Sequence, residues 1–216
     1  SPCPPEALEL SARYATVIAE KVRERGWEGV TLIDVDGMKK IVALPPSFVF
    51  NLVDRLCAVC TIPENDVMGA ATQLMVRFAT GQIAPYAEYY EFFEDAALIG
   101  VPDFIPRECT QGDALIRPST FGLLSTSLLN VSKFKDGRLT LARLVTRNGK
   151  YGMHLFTGTA RQPRRWEESG WAPPAPQLPS LEVTPDCQME EFAQKVSSQH
   201  IILAYGDHTD ALRQLC

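Results

Sequence analysis

The 216-residue sequence contains no apolar run long enough to cross a lipid bilayer. A membrane-spanning helix needs about 20 consecutive apolar residues, and the runs here extend over only a handful. Positive charge is also scarce, since 21 lysines and arginines stand against 26 aspartates and glutamates, giving a formal charge of −5. We therefore expect neither a membrane nor a nucleic acid as a partner, because both favour an excess of basic residues.

Several catalytic signatures are missing as well. The sequence has no glycine-rich phosphate loop, no dinucleotide-binding fingerprint, no nucleophile elbow, no zinc-protease motif and no EF-hand loop. Kinase, hydrolase and dinucleotide-dependent functions therefore lack support from motifs. The six cysteines are spread over the whole chain, which is typical of reduced thiols and predicts a cytoplasmic protein.

The composition is that of a globular protein, with 45% hydrophobic and 22% charged residues. Over residues 1–108 the pattern predicts alternating helices and strands, and hence an α/β segment. The expected elements are a helix from Pro5 to about Gly26, a strand Val30–Val35, a helix from Ser47 toward Cys60, and a helix between Pro63 and Gly81.

Residues 109–216 predict a mainly antiparallel β domain. Asp136-Gly137 and Asn148-Gly149 are strong hairpin signals, and together they predict a meander of at least three strands. A proline-rich stretch, 162–179, predicts an extended loop, which either contacts a neighbouring subunit through Trp166 and Trp171 or wraps its own domain. A strand at 201–205 follows near the end.

Few side chains carry obvious chemistry, and each admits two interpretations. His200 precedes an apolar strand, where it serves either as a metal ligand or as a hydrogen-bonded structural residue. Glu64 and Asp66 open a helix, where carboxylates either cap the free N–H groups or bind a divalent cation. Glu88 and Glu91 lie in an acidic, aromatic stretch. It forms either a surface helix or a strand, and a strand would direct Glu88 into the same cleft as Asp66.

These motifs resemble the L-fucose isomerase family. Residues 63–74 hold the Glu-Asn-Asp motif, Thr80-Gly81 ends the helix, and a strand with Glu88 follows, as in that family. The segment 198–206 is similar to the family's C-terminal Asn-His-x-x-x-x-Tyr-Gly segment. The resemblance covers most of the chain as the C-terminal portion of such an enzyme, and it is closest to the fucose-isomerase-like branch of fucose and arabinose isomerases.

The resemblance implies a metal-dependent aldose–ketose isomerase that acts on a sugar such as L-fucose through an ene-diol. It implies Mn²⁺ or another divalent cation held by Asp66 and His200, with Asp66 and Glu64 as catalytic carboxylates. Glu88 matches the acidic residue of the following strand, and with Glu91 it is a candidate for substrate binding. The resemblance also implies that the α/β segment has three layers and that the antiparallel β domain is barrel-like. It further implies a homo-oligomer, a trimer or hexamer.

Family members carry a further catalytic glutamate upstream, but residues 38–50 contain no acid. Asp34 or Asp36 is the nearest possible substitute. The alternative is therefore a catalytically degenerate sugar-binding or regulatory protein on the same scaffold. A third class, an oligomeric scaffold, is expected if Asp66 and His200 lie far apart. The family also has a further N-terminal domain of Rossmann-like character, so we expect this chain to be a fragment.

Overall fold

The chain folds into a helical unit built on two short parallel strands and a closed six-stranded barrel. The computed structural model describes residues 3–101, 104–119, 127–164 and 180–215. The helices in this part of the chain are α1 (Pro5–Arg25), α2 (Ser47–Cys57), α3 (Val67–Thr80), α4 (Met189–Lys195) and α5 (Thr209–Arg213). The strands are β1 (Gly29–Thr31), β2 (Cys60–Ile62), β3 (Tyr86–Phe92), β4 (Ala97–Gly100), β5 (Thr110–Gln111), β6 (Ile116–Ser119), β7 (Ser127–Asn130), β8 (Lys133–Phe134), β9 (Gly137–Arg147), β10 (Lys150–Arg161), β11 (Ser180–Pro185) and β12 (His200–Tyr205).

The helical unit follows the expected punctuation. Helix α1 has proline in its first turn and ends at Gly26, which adopts the left-handed conformation with φ 64°. Strands β1 and β2 pair in parallel, with Gly29 opposite Cys60. The buried core of this unit includes residues of α1 and α2 and is mostly aliphatic: Ala15, Val22, Met38, Leu44, Val49, Val53 and Val59. Together with the closed barrel, this helical unit confirms the predicted mixed α/β fold with a barrel-like part.

The strand predicted over Val30–Val35 is too long. Strand β1 stops at Thr31, and residues Asp34–Val42 wind into a π-helical segment instead. Within it Asp34 is buried and pairs with Lys39 across 3.4 Å, whereas Asp36 pairs with Lys40 at the surface. The apolar run suggested a strand because a short run has no helical period that would distinguish the two.

The barrel is closed by six antiparallel pairs in the order β10-β11-β4-β3-β12-β9. Closure leaves none of these six strands with an unpaired edge. Strands β3 and β4 precede residue 108 in the sequence, so the barrel takes strands from both sides of the expected domain boundary. Only two parallel strands, β1 and β2, are left for the α/β unit in the described part of the chain.

Alternation along the strands separates the interior of the barrel from its outer face. Leu141, Ile201 and Leu203 belong to the interior cluster, while their neighbours along the strands pack outside against α3 and α5. This outer layer consists of Val76, Ala84, Tyr86, Ala142, Ile202, Ala204 and Leu212. Helix α3 therefore lies across β9 and β12, and this packing fixes where its N-terminus meets the sheet.

Of the two predicted hairpins, one is confirmed and one is wrong. Asn148 (φ 52°) and Gly149 (φ 73°) form the tight turn between β9 and β10. Asp136-Gly137 does not form a hairpin, because β8 pairs with β5 and β7 pairs with β6 rather than with β9. The expected meander is thus replaced by two small separate ladders. The dipeptide permits a reversal of the chain, but long-range pairing decides whether one forms.

Trp166 and Trp171, proposed as subunit contacts, lie outside the described residues.

The described helices include none that combines the length and apolarity needed to span a membrane.

Two glycines of the same strand provide a test of barrel packing. A Cβ on Gly158 would lie 2.6 Å from the Thr184 carbonyl oxygen and 3.1 Å from the Cα of Pro185, whereas one on Gly152 would meet nothing within 4 Å. We expect Gly158→Ala to lower the free energy of unfolding by about 1–3 kcal/mol. The matched variant Gly152→Ala should change it by less than about 0.5 kcal/mol in urea titrations. Equal stability of the two variants would contradict the described β10–β11 contact.

Candidate metal centre

Two glutamates and a histidine converge where the helical unit meets the barrel. Glu64 lies between β2 and α3, Glu88 lies on β3, and His200 begins β12. Glu88 and His200 are direct cross-strand partners, so their side chains leave the sheet on the same face. The ligand atoms of all three residues lie within 4.8 Å of one another. Elements distant in sequence thus bring together one imidazole and two carboxylates.

The imidazole nitrogen at the centre of this group is poorly satisfied. His200 Nε2 lies 3.2 Å from Glu64 Oε2 and 3.4 Å from Glu88 Oε1. It is nevertheless buried and has no hydrogen-bond partner with acceptable geometry among the described residues. A buried polar atom without a partner is costly, and a cation bound among the three groups would satisfy it.

The loop that carries Glu64 is held in an unusual backbone conformation. Glu64 and Asn65 both have positive φ values, 62° and 54°. This region costs energy for residues other than glycine and is found most often where a site requires it. The Asn65 N–H donates to the carbonyl of Leu32 across 3.0 Å, which ties the turn to the end of β1. The position of Glu64 therefore depends on the parallel β1–β2 pair.

Tyr86 connects the histidine to a second carboxylate. Its ring stacks on His200 with centroids 4.7 Å apart, and its hydroxyl donates to Asp66 Oδ2 across 3.0 Å. Asp66 caps α3, since its Oδ1 accepts from the Gly69 N–H at 2.8 Å. Arg143 donates to both carboxylate oxygens, at 2.5 and 3.1 Å. Asp66 and His200 therefore lie close together, which removes the condition that favoured a scaffold without a site.

Gly69 makes this network possible. A Cβ at this position would lie 2.8 Å from Asp66 Oδ2 and 2.9 Å from Cε2 of Tyr86. The first turn of α3 therefore needs a residue without a side chain here, so that the aspartate and the tyrosine can approach each other.

The two acids of the Glu-Asn-Asp motif have opposite electrostatics. Burial raises the pKa of Glu64, and the neighbouring charges of Glu88 and Asp34 add to this while His200 opposes it. Burial also acts to raise the pKa of Asp66, but the hydrogen bonds from Arg143, Gly69 and Tyr86 outweigh it and leave the pKa lowered. Asp66 is thus held firmly as a carboxylate, whereas Glu64 takes up a proton more readily.

The structure brings together Glu64, Glu88 and His200, but Asp66 is not a member of this group. The prediction of Asp66 as a metal ligand stays a prediction, and the geometry favours the two glutamates in its place. Glu91 is exposed, beyond a bulge in β3 that follows Tyr89, and its Oε1 accepts from the Phe92 N–H. The predicted role of Glu91 in substrate binding gains no contact from this placement.

Sequence reasoning missed Arg143 and the role of Tyr86. Arg143 lies in the long strand β9, where its neighbour Ala142 is buried. A basic residue amid an apolar strand was the available signal, but its partner Asp66 lies 77 positions away. Tyr86 opens the acidic, aromatic stretch, yet nothing local distinguishes a stacking tyrosine from a core tyrosine.

The donor set suits a divalent cation. One imidazole nitrogen and two carboxylates are ligands accepted by Mn²⁺, Zn²⁺ and similar ions, and three protein ligands leave coordination positions free for a substrate. The side chain of Glu64 is 35% exposed, against 15% for Glu88 and 17% for His200. A small molecule can therefore reach the group from the side of Glu64.

Comparison of the sequence with protein-family models gives no match, and none of the curated proteins compared with it matches either.

The bond between Asp66 and Arg143 provides a test with a pH signature. Asparagine also caps helices well, so Asp66→Asn chiefly removes the charge pair, and we expect a loss of about 2 kcal/mol in unfolding free energy at pH 7. Because the pKa of Asp66 is lowered in the folded state, this stabilisation exists above the ordinary aspartate pKa and disappears as the pH falls through the lowered one. Denaturant unfolding in EDTA at several pH values measures it.

Asp36→Asn is the matched control, since the Asp36–Lys40 pair is 72% and 68% exposed. It should cost less than about 0.5 kcal/mol at every pH. A loss for Asp66→Asn that persists undiminished in acid would show that the charge pair is not its source.

Proposed function

We propose that this protein is a divalent metal-dependent aldose–ketose isomerase of a sugar, with Mn²⁺ as its natural ion. The observation that carries the proposal is His200 Nε2, a buried nitrogen without a hydrogen-bond partner among the described residues, which faces two glutamate oxygens. Glu64, Glu88 and His200 would hold the ion. When bound, a divalent cation supplies Lewis acidity, which stabilises negative charge on a sugar oxygen as an ene-diol forms.

The chain's own residues account for binding and for proton transfer. Glu64 is the most exposed of the three, so we assign its carboxylate to accept the proton from the sugar carbon and return it to the neighbouring carbon. Tyr86 fixes the plane of the His200 ring by stacking on it. Asp66, bound to Arg143, keeps Tyr86 in place rather than carrying out the proton transfer.

The resemblance to the L-fucose isomerase family supports the same proposal. The motif at residues 64–66, the strand with Glu88 and the segment around His200 are separated in sequence, and they meet at one place in the fold. The order of an α/β unit followed by a barrel agrees with the fold that this resemblance implies. A homo-oligomer that takes a sugar substrate is part of the proposal.

A sugar-binding protein without catalysis is the second candidate, and two observations favour it. Both oxygens of Asp66 are engaged by Arg143. Of the two nearest upstream acids, Asp34 is buried beside Lys39, and Asp36 pairs with Lys40 at the surface. Residues 38–50 supply no further carboxylate. On this reading the site would retain its ion and its sugar but would lack a second acid–base group.

Metal binding is the first prediction of the proposed function. Mn²⁺ should bind the protein in titration calorimetry, and His200→Ala and Glu88→Gln should each weaken binding at least about tenfold, because each removes one ligand. Glu94→Gln is the matched control, since Glu94 belongs to the same acidic stretch but lies outside the group. Unchanged affinity in both ligand variants would contradict the centre. If Mn²⁺ does not bind at all, Glu64, Glu88 and His200 form a charged cluster that holds no metal.

Activity separates the two candidates. With Mn²⁺ at a concentration that saturates each variant, as determined by the titrations above, we expect one or more aldoses to be converted to the ketose. Glu64→Gln should then lower kcat about a hundredfold or more, because the amide cannot accept the proton. Removal of the ion with EDTA should abolish turnover, and added Mn²⁺ should restore it. Proton exchange between solvent and the sugar, followed by NMR, reports the same step. Sugar binding without exchange or turnover would establish the binding protein.

A further inference from the structure

A second cleft adjoins the metal centre and has the opposite charge. It has a volume of about 560 Å³ and is bounded by the β9–β10 hairpin, the end of α4 and the segment leading to β12. Three cationic side chains line it, Arg143, Arg147 and Lys195, and no acidic side chain is among the described residues that line it. In a chain with a net charge of −5, such a concentration of positive charge calls for a counter-charge.

The three cations differ in how far they are already neutralised. Arg143 is paired with Asp66 inside the protein. Lys195 is paired with Glu191, but both groups are about half exposed, and an exposed pair of this kind is weak enough for a ligand to compete. Arg147 has no ion pair among the described residues, and it is exposed at the rim of the cleft. Arg147 therefore contributes an uncompensated charge.

His154 supplies a second observation that points to a ligand. Its imidazole is half-buried and lines the cleft, while its Nδ1 atom is buried without a hydrogen-bond partner in the described part of the chain. Ser197 and Ser198 add hydroxyl groups to the same wall. Guanidinium, imidazole and hydroxyl donors around one concave surface are the groups that bind phosphate and carboxylate oxygens.

The C-terminal end of α4, which borders the cleft, disfavours a bound anion, because the free carbonyl groups at the C-terminus of a helix carry partial negative charge. This helix has only seven residues, however, and Lys195 is the last of them. The balance of the cleft therefore remains positive.

The basic cleft lies next to the metal centre. A small cavity of about 10 Å³ is lined by His200 together with Arg143, His154 and Ser198, all three of which also line the cleft. Arg143 in addition reaches Asp66, which binds the tyrosine stacked on His200. The two sites are therefore neighbours that share lining residues.

We infer that this cleft binds the anionic group of a small molecule, a phosphate or a carboxylate, with Arg147, Lys195 and His154 as its donors. Under the proposed function, on which this last step rests, the substrate is an aldose that carries such a group, a sugar phosphate or a sugar acid. The metal centre then holds the neutral hydroxyl and carbonyl end. The cleft binds the charged end and so fixes which carbon faces Glu64.

The test uses the full chain, stripped of metal with EDTA and then dialysed free of EDTA, so that neither a metal nor the carboxylates of the chelator contribute. Inorganic phosphate and acetate are separate probes in titration calorimetry. We expect one of the two anions to bind, and Arg147→Gln to weaken that binding about tenfold. Lys195→Gln should weaken it less, because Glu191 already shares that charge. Lys150→Gln is the matched control: it lies opposite Arg147 in the same hairpin, removes the same charge and does not line the cleft.

Binding of phosphate supports a sugar phosphate, and binding of acetate alone supports a sugar acid. The proposal is overturned if neither anion binds, or if Lys150→Gln weakens binding as much as Arg147→Gln does. Mn²⁺ titration of the same samples keeps the two proposals apart. Metal binding without anion binding rejects only the cleft, while anion binding without metal binding leaves the cleft and rejects the metal centre.

Discussion

The pairing of β3 with β12 is the constraint on which the candidate site depends. It places His200 opposite Glu88. Two residues later in β12, which is two residues earlier in β3, Ile202 lies opposite Tyr86. A shift of one residue would turn His200 toward the barrel interior, among leucines and phenylalanines that offer it no partner. Strand β12 is also paired with β9 on its other side, and closure of the barrel leaves neither strand free to slip. The geometry of the candidate metal site is therefore enforced by pairing across the whole barrel rather than by local contacts.

The third residue of the candidate metal site, Glu64, comes from a different unit, and α3 connects that unit to the barrel. Its aliphatic face packs on the outer side of β9 and β12, while its N-terminus is tied through Asp66 to Arg143 of β9 and Tyr86 of β3. A helix held in this way fixes the strained turn that carries Glu64. The burial of the Asp66–Arg143 pair, which are 15% and 11% exposed, explains why so many donors surround one carboxylate. The pair contributes more to the alignment of the two units than to chemistry at the metal.

Local signals in the sequence predicted the boundaries of the helices but not the pairing of the strands. Gly26, Gly81 and the Asp66 cap ended or began helices as expected, because each acts on backbone groups within one turn. The hairpin at Asp136-Gly137 was wrong, since Phe134 pairs instead with Thr110, 24 positions earlier. For the same reason the sequence marked Glu64, Glu88 and His200 as candidates but gave no means to see that Arg143 would engage Asp66. Capping is a local property, whereas charge pairing across 77 residues becomes visible only in the fold.

The opposite charges of the candidate metal site and the basic cleft restrict the possible ligands more than either site does alone. An acidic group with a histidine attracts cations of many kinds, and a basic cleft attracts many anions, so each by itself has little specificity. Side by side they select a molecule that is neutral and rich in oxygen at one end and anionic at the other. Arg143 lines the cleft, but it is already paired with Asp66, so it leaves the charge of Arg147 and Lys195 to an anion. Through Asp66 it also holds Tyr86, whose ring stacks on His200. One residue of the cleft wall thus belongs to the network that builds the candidate metal site.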